Sequence, residues 1–131
     1  MSEAAILCVD DELVILKSLE IELHSAFGSN YLYEFAESAD EALEIIDELD
    51  EEKVQILIIV SDWLMPGMKG DEFLIEVHKK YPKIVKLMLT GQADEDAVER
   101  AKKYANLYRY IPKPWNNQEL IGIIRSALSE L

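Results

Sequence analysis

The sequence predicts an α/β fold: a single doubly wound, five-stranded parallel sheet flanked by five helices. Short apolar runs alternate with segments of helical period along the whole of the 131 residues. The runs are nearly continuous in apolar character, as in strands covered on both faces. Four of them also lead into a polar group: Asp10-Asp11 after 4–9, Asp62 after 56–61, Thr90-Gly91 after 84–89 and Lys113-Pro114 after 107–111. In parallel strands all these groups emerge at one carboxyl edge, where open α/β sheets hold ligands.

Taken in order, the first strand is read at 4–9 (AAILCV), and the first helix carries the stripe Leu16, Leu19, Leu23 and Phe27. A second strand at 31–36 leads to a helix with the stripe Ala39, Ala42, Leu43, Ile46 and Leu49, which Ser38 and Glu41 open as a capping box. The third strand, 55–61, runs into WLMPGMKG, whose Pro66, Gly67 and Gly70 are turn formers. Phe73, Leu74, Val77 and Tyr81 mark the third helix, and 84–89 the fourth strand. Helix four, at 94–105, offers mostly Ala97, Val98, Ala101 and Ala105, so it is expected to be the least firmly packed. A fifth strand at 107–111 runs into Pro112, which lacks a ladder donor and therefore belongs on an edge or bulge. Asn116 with Glu119 resembles a capping box for helix five, with Trp115 and Leu120 placed as a staple. Its stripe is Leu120, Ile124, Ala127, Leu128 and Leu131.

The length is that of one domain, 1–131, with a sizeable core. A formal charge of −13 argues against a nucleic-acid surface, because phosphates demand clustered Lys and Arg. The amino-terminal segment has no basic stretch before its apolar run, so it is not a secretory signal. No apolar run approaches the ~20 residues a membrane helix needs. Cys8 is the only cysteine, which excludes an intrachain disulfide, and its place in the first strand makes it a small core residue. A cytoplasmic location is expected. His24 and His78 fall on separate helices without metal spacing and read as surface residues. Trp63 and Trp115 read as packing and loop anchors.

Three carboxylates at one edge are expensive. At ~5 Å and an effective dielectric near 20, each like-charged pair costs roughly 3 kcal/mol. Protonation or a cation must offset this, and a hard, oxygen-rich site with few ligands suits Mg²⁺. Asp62 stands between the acid pair and the lysine, the place of a nucleophile that forms an aspartyl phosphate. Lys113 is placed to pair with Asp62 or with an oxygen of the transferring group, and Thr90 to donate to another of those oxygens. An Asp pair after a strand is usually a helix cap, a Thr-Gly a turn and a Lys-Pro a loop. Their occurrence together, in order, at four strand ends is what those ordinary readings do not predict.

The motifs ILCVDDE, ILIIVSDWLMPGMKG, LMLTG and YIPKPW, in this order, closely resemble the receiver domain of bacterial two-component response regulators. The resemblance spans 4–131 and implies the strand order 2-1-3-4-5. It implies Asp62 as phosphoacceptor, and Mg²⁺ held by Asp11, Asp62 and the Leu64 backbone carbonyl, with Asp10 acting through water. Thr90 and Lys113 would contact the phosphoryl group, and Tyr110 would change rotamer on activation. Lys113-Pro114 is a bond commonly cis in such domains. Val14, Ile15, Ser18 and Pro114 are expected to dock the donor, with Glu22 also turned away from the helix-one stripe. The implied partners are a histidine kinase or phosphotransfer protein, and a second copy or effector domain on the face of helix four, strand five and helix five, about 93–124. No nucleic acid and no membrane are expected partners.

The implied role is regulatory: the domain would catalyse only its own phosphorylation and dephosphorylation. A haloacid-dehalogenase-type phosphatase would want Asp-x-Asp after the first strand, whereas here the acids are adjacent. A flavodoxin-like carrier would want a hydroxyl- and glycine-rich loop there, and Asp10, Asp11 and Glu12 would repel its phosphate. The nearest alternative is a receiver-like interaction module that works without phosphorylation. Such modules typically lose an acid or the lysine, and this chain keeps all of them.

Overall fold

The computed structural model describes residues 3–91 and 95–131. Strands β1 (Ala4–Val9), β2 (Leu32–Ala36), β3 (Gln55–Asp62), β4 (Val85–Thr90) and β5 (Arg109–Pro112) alternate with helices α1 (Leu13–Phe27), α2 (Ala39–Glu51), α3 (Gly70–Lys80), α4 (Glu95–Ala105) and α5 (Asn117–Ser129). The strands form one parallel sheet in the order β2-β1-β3-β4-β5. The predicted fold class and strand order are both present.

Alternation along each strand sends side chains to two separate cores. Ala5, Leu7 and Val9 of β1 join Ile59 and Met88 under α2, α3 and α4. Ile6 and Cys8 join Ile58, Val60, Leu87, Leu89 and Ile111 under α1 and α5. The stripes anticipated on the helices are the faces that bury: Leu16, Leu19 and Leu23 of α1, Ala42 and Ile46 of α2, Phe73 and Val77 of α3, and Leu120, Ile124 and Ala127 of α5. Ser38 Oγ accepts from the Glu41 amide, and Asn116 Oδ1 accepts from the amides of Gln118 and Glu119, so the N-cap half of both expected capping boxes is made.

Several boundaries shift by a residue or two. β3 includes Asp62 and β4 includes Thr90, because Asp62 pairs with Leu89 and Thr90 with Pro112 across the ladder. Pro112 is tolerated because β5 is an edge strand. Leu131 lies beyond the end of α5 and is 60% exposed, so it does not extend that helix's buried stripe. Asp94, where helix four was expected to start, and 93, where the switching surface was, lie outside the described residues.

The sheet order reverses at β1, whose neighbours β2 and β3 lead the chain in opposite directions. Beyond the carboxyl ends of β1 and β3 is therefore the crevice that such sheets reserve for ligands.

Candidate functional site

Asp10 follows the last residue of β1 and is fully buried. Its amide donates to the Ala36 carbonyl at 3.1 Å, which seats it against the end of β2. One carboxylate oxygen accepts from the Glu12 amide at 2.8 Å, and the other from Lys113 Nζ at 2.9 Å. The ordinary reading of the acid pair as a helix cap does not hold: the residue capping α1 is Glu12, whose side chain makes no cap bond, and Asp10 makes a turn bond with one oxygen only. Asp62 closes β3 and is 4% exposed. Its Oδ1 lies 3.1 Å from Lys113 Nζ, so one ammonium spans both buried acids.

The backbone around Asp62 is fixed on several sides. The Trp63 amide donates to Leu89 O at 2.9 Å, and the Gly70 amide to Trp63 O at 2.7 Å. A Cβ at position 70 would collide with the Asp62 carbonyl, so only glycine lets α3 approach this closely. Ser61 Oγ donates to that same carbonyl. Thr90, 3% exposed, ends β4, and its carbonyl accepts from the Lys113 amide at 2.7 Å. Neighbouring strand ends therefore hold Thr90 and Lys113 side by side. The Lys113-Pro114 peptide is cis.

Asp11 is exposed, and oxygens of Asp10, Asp11 and Asp62 all lie within 4.8 Å of one another. Burial, then the neighbouring Asp10 charge, pushes the Asp62 carboxyl up to about 6, against the pull of Lys113. Burial likewise raises Asp10, opposed by the Glu12 amide and by Lys113. For Lys113, burial is outweighed by its bonds and charge interactions with the two acids, which hold its pKa above the ordinary value. One lysine against three carboxylates leaves the cluster short of positive charge. An all-oxygen donor set of that charge fits a hard divalent cation such as Mg²⁺.

The remaining predicted residues lie on α1, on β5 and in the loops after β3 and β5. Leu64 is 60% exposed in the loop after β3. Tyr110 faces outward on β5, 43% exposed, with Lys102 Nζ of α4 5.7 Å from its ring centre. Val14 is 79% exposed, and Ser18 and Pro114 are also on the surface. Ile15 differs from expectation: it is half-buried against the α1–α5 core. Glu22 differs more. It is buried, and its carboxylate accepts from Trp115 Nε1 at 3.2 Å and Ser18 Oγ at 3.0 Å, tying α1 to the loop after Lys113.

Two further polar contacts escaped the sequence reading. Asp71 is fully buried at the start of α3, bonded by Trp63 Nε1 at 3.0 Å and by Arg100 of α4. Lys86 is buried within β4, with Nζ 2.9 Å from His78 Nδ1 and 2.7 Å from Ile84 O. His78 is half-buried instead of lying free on the surface. A lysine interrupting VKLMLT was the one visible signal. Trp63 and Trp115 are loop anchors as expected, but each anchors through a hydrogen bond to a buried acid.

Residues 6–125 match the family model described as the response regulator receiver domain. The chain belongs to the response regulator receiver domain family. Among curated proteins, this receiver domain is 32% identical over 126 residues to the hydrogenase transcriptional regulatory protein HoxA of Cupriavidus necator, covering 96% of the chain and 24% of that protein. Among solved structures it resembles a CheY-like receiver domain from Methanospirillum hungatei, with a TM-score of 0.85, 32% identity and coverage of 98% and 96% of the two chains. It also resembles the beryllofluoride-activated NtrC4 receiver domain dimer, with a TM-score of 0.81, 28% identity and coverage of 96% and 97%. The chain thus spans about a quarter of the length of the curated regulator it matches. No helix among the described residues is long and apolar enough to cross a membrane.

Proposed function

We propose that residues 1–131 act as a cytoplasmic phospho-accepting receiver in a phosphorelay, with Asp62 as the phosphoacceptor. The observation that carries the reading is the Lys113 ammonium bonded at once to Asp10 and Asp62, with the Asp11 carboxylate within reach of both. Pure interaction modules have no use for so costly a cluster. In the reaction, an Asp62 oxygen attacks the phosphorus of a phosphohistidine on a histidine kinase or phosphotransfer protein. The P–N bond breaks, and its electron pair stays with the departing imidazole. Asp11, Asp62 and the Leu64 carbonyl would hold Mg²⁺, with Asp10 acting through water. The ion supplies positive charge against the phosphoryl oxygens. Lys113 supplies more, and Thr90 offers a hydroxyl to another oxygen.

The donor would dock on Val14, Ser18 and Pro114, with Ile15 at the rim, beside the acid pair. Once phosphorylated, Asp62 draws Thr90 inward, and Tyr110 can fill the space under α4. A charge-assisted bond made in one state only is worth roughly 1.5–3 kcal/mol, enough to move a population about ten- to a hundredfold. The surface of α4, β5 and α5 then meets an effector domain or a second copy. The activated dimer of the similar NtrC4 receiver domain supports the latter partner.

The test is incubation with acetyl phosphate and Mg²⁺, read by intact mass. The wild type should gain one phosphoryl group, and Asp62→Asn none. A wild type that gains nothing would favour the interaction module, and an Asp62→Asn protein that gains one at the wild-type rate would move the nucleophile elsewhere.

A further inference from the structure

The buried Asp71 carboxylate is shared between two parts of the fold. Its Oδ1 accepts from the indole of Trp63, the residue after the proposed phosphoacceptor, at 3.0 Å. Its Oδ2 accepts from Arg100 Nε at 3.1 Å and Nη2 at 2.9 Å. Trp63 leaves the end of β3, Asp71 begins α3 and Arg100 lies mid-way along α4. The rest of the α4 face that packs inward is small: Ala97, Val98, Ala101 and Ala105. A charge-assisted contact of this kind is directional, so a shift of α4 breaks it where alanine contacts merely slide.

We propose that Asp71 is a positioning residue that latches α4 to the segment following Asp62, holding the arrangement in which Tyr110 faces outward. The inference rests on the phosphoacceptor reading above and adds to it a second route between site and switching surface, independent of Thr90. The Gly70 amide bonded to Trp63 O places the start of α3 directly against Asp62, so movement there reaches Asp71 through one residue. Because the latch favours one arrangement, it opposes the ligand that favours the other, and linkage makes the effect reciprocal.

The test compares wild type with Arg100→Met, Arg100→Lys and Asp71→Asn. Asn keeps an acceptor for Trp63 but loses the charge that Arg100 needs. The Arg100 side chain is half exposed, so replacing it leaves the core closed. Without ligand, amides of α4 should exchange about fivefold faster in Arg100→Met and Asp71→Asn, with strand amides unchanged. With Mg²⁺, both should bind beryllofluoride, an inorganic phosphoryl mimic, about three- to tenfold more tightly than wild type. Arg100→Lys should lie between, which simple loss of packing does not predict. Unchanged exchange, or equal or weaker beryllofluoride binding by folded variants of a wild type that binds it, overturns the latch alone. A wild type that binds none overturns the phosphoacceptor reading and the latch with it.

Discussion

Asp62 answers to two opposed demands. A nucleophile must be ionised, yet burial and the nearby Asp10 charge push its carboxyl up to about 6. The folded protein therefore holds a proton that the unfolded chain has released above about 4, the ordinary carboxylate range. Stability from this group is full below that value and is lost as pH rises through about 6. It follows that Asp62→Asn should stabilise the metal-free domain at pH 7 by about 1–3 kcal/mol, with the gap closing toward pH 4. Urea unfolding across that range checks it, and Mg²⁺ should stabilise the wild type while leaving the variant unmoved. An Asp62→Asn protein less stable at pH 7, or a gap independent of pH, contradicts the electrostatic account. At this scale the convergence of Asp10, Asp11, Asp62, Thr90 and Lys113 was legible because they follow four separate apolar runs, Asp10 and Asp11 sharing one. Glu22 and Asp71 were not, because their partners Trp115 and Arg100 are 93 and 29 residues away. A wheel that shows only Leu16, Leu19 and Leu23 turns Glu22 outward. The indole that pulls it in belongs to another element.

Among the elements, β4 holds the least expected residue. Lys86 is 1% exposed and keeps its ammonium among His78, Ile84 O and Pro82 O, with burial pulling its pKa down from 10.5 to about 8. The unfolded chain thus keeps a proton between those values that the folded chain has lost, so stability from this group rises with pH there. Relative to Lys86→Met, the wild type should gain roughly 3 kcal/mol of unfolding free energy from pH 8 to 10.5. Denaturant unfolding of both proteins at several pH values measures this, and a constant difference would mean that Lys86 is not desolvated. Strand and helix positions were legible from period alone because each apolar stripe faces one of the two cores. Boundaries were less so: Asp62 and Thr90 belong to their strands through ladder pairing with Leu89 and Pro112, which sequence period does not show. Helix α4 was legible as a weakly apolar element, but its tie to Asp71 was not, since an arginine on a polar face usually reads as solvated.

For the molecule as a whole, the sheet order does the assembling. Putting β1 between β2 and β3 brings residues 10 and 62 together, and putting β5 beside β4 brings 113 to both. The acidic surface is the background against which one ammonium, at one edge, faces three carboxylates. That edge is where the central claim can be read chemically. Borohydride reduces an acyl phosphate to an alcohol, turning a phosphorylated aspartate into homoserine. The domain should be treated with acetyl phosphate and Mg²⁺, reduced, digested and sequenced by mass spectrometry. Homoserine at position 62 alone is the expected result; homoserine at position 10 or 11, or none in protein that gained a phosphoryl group, would contradict Asp62 as the phosphoacceptor.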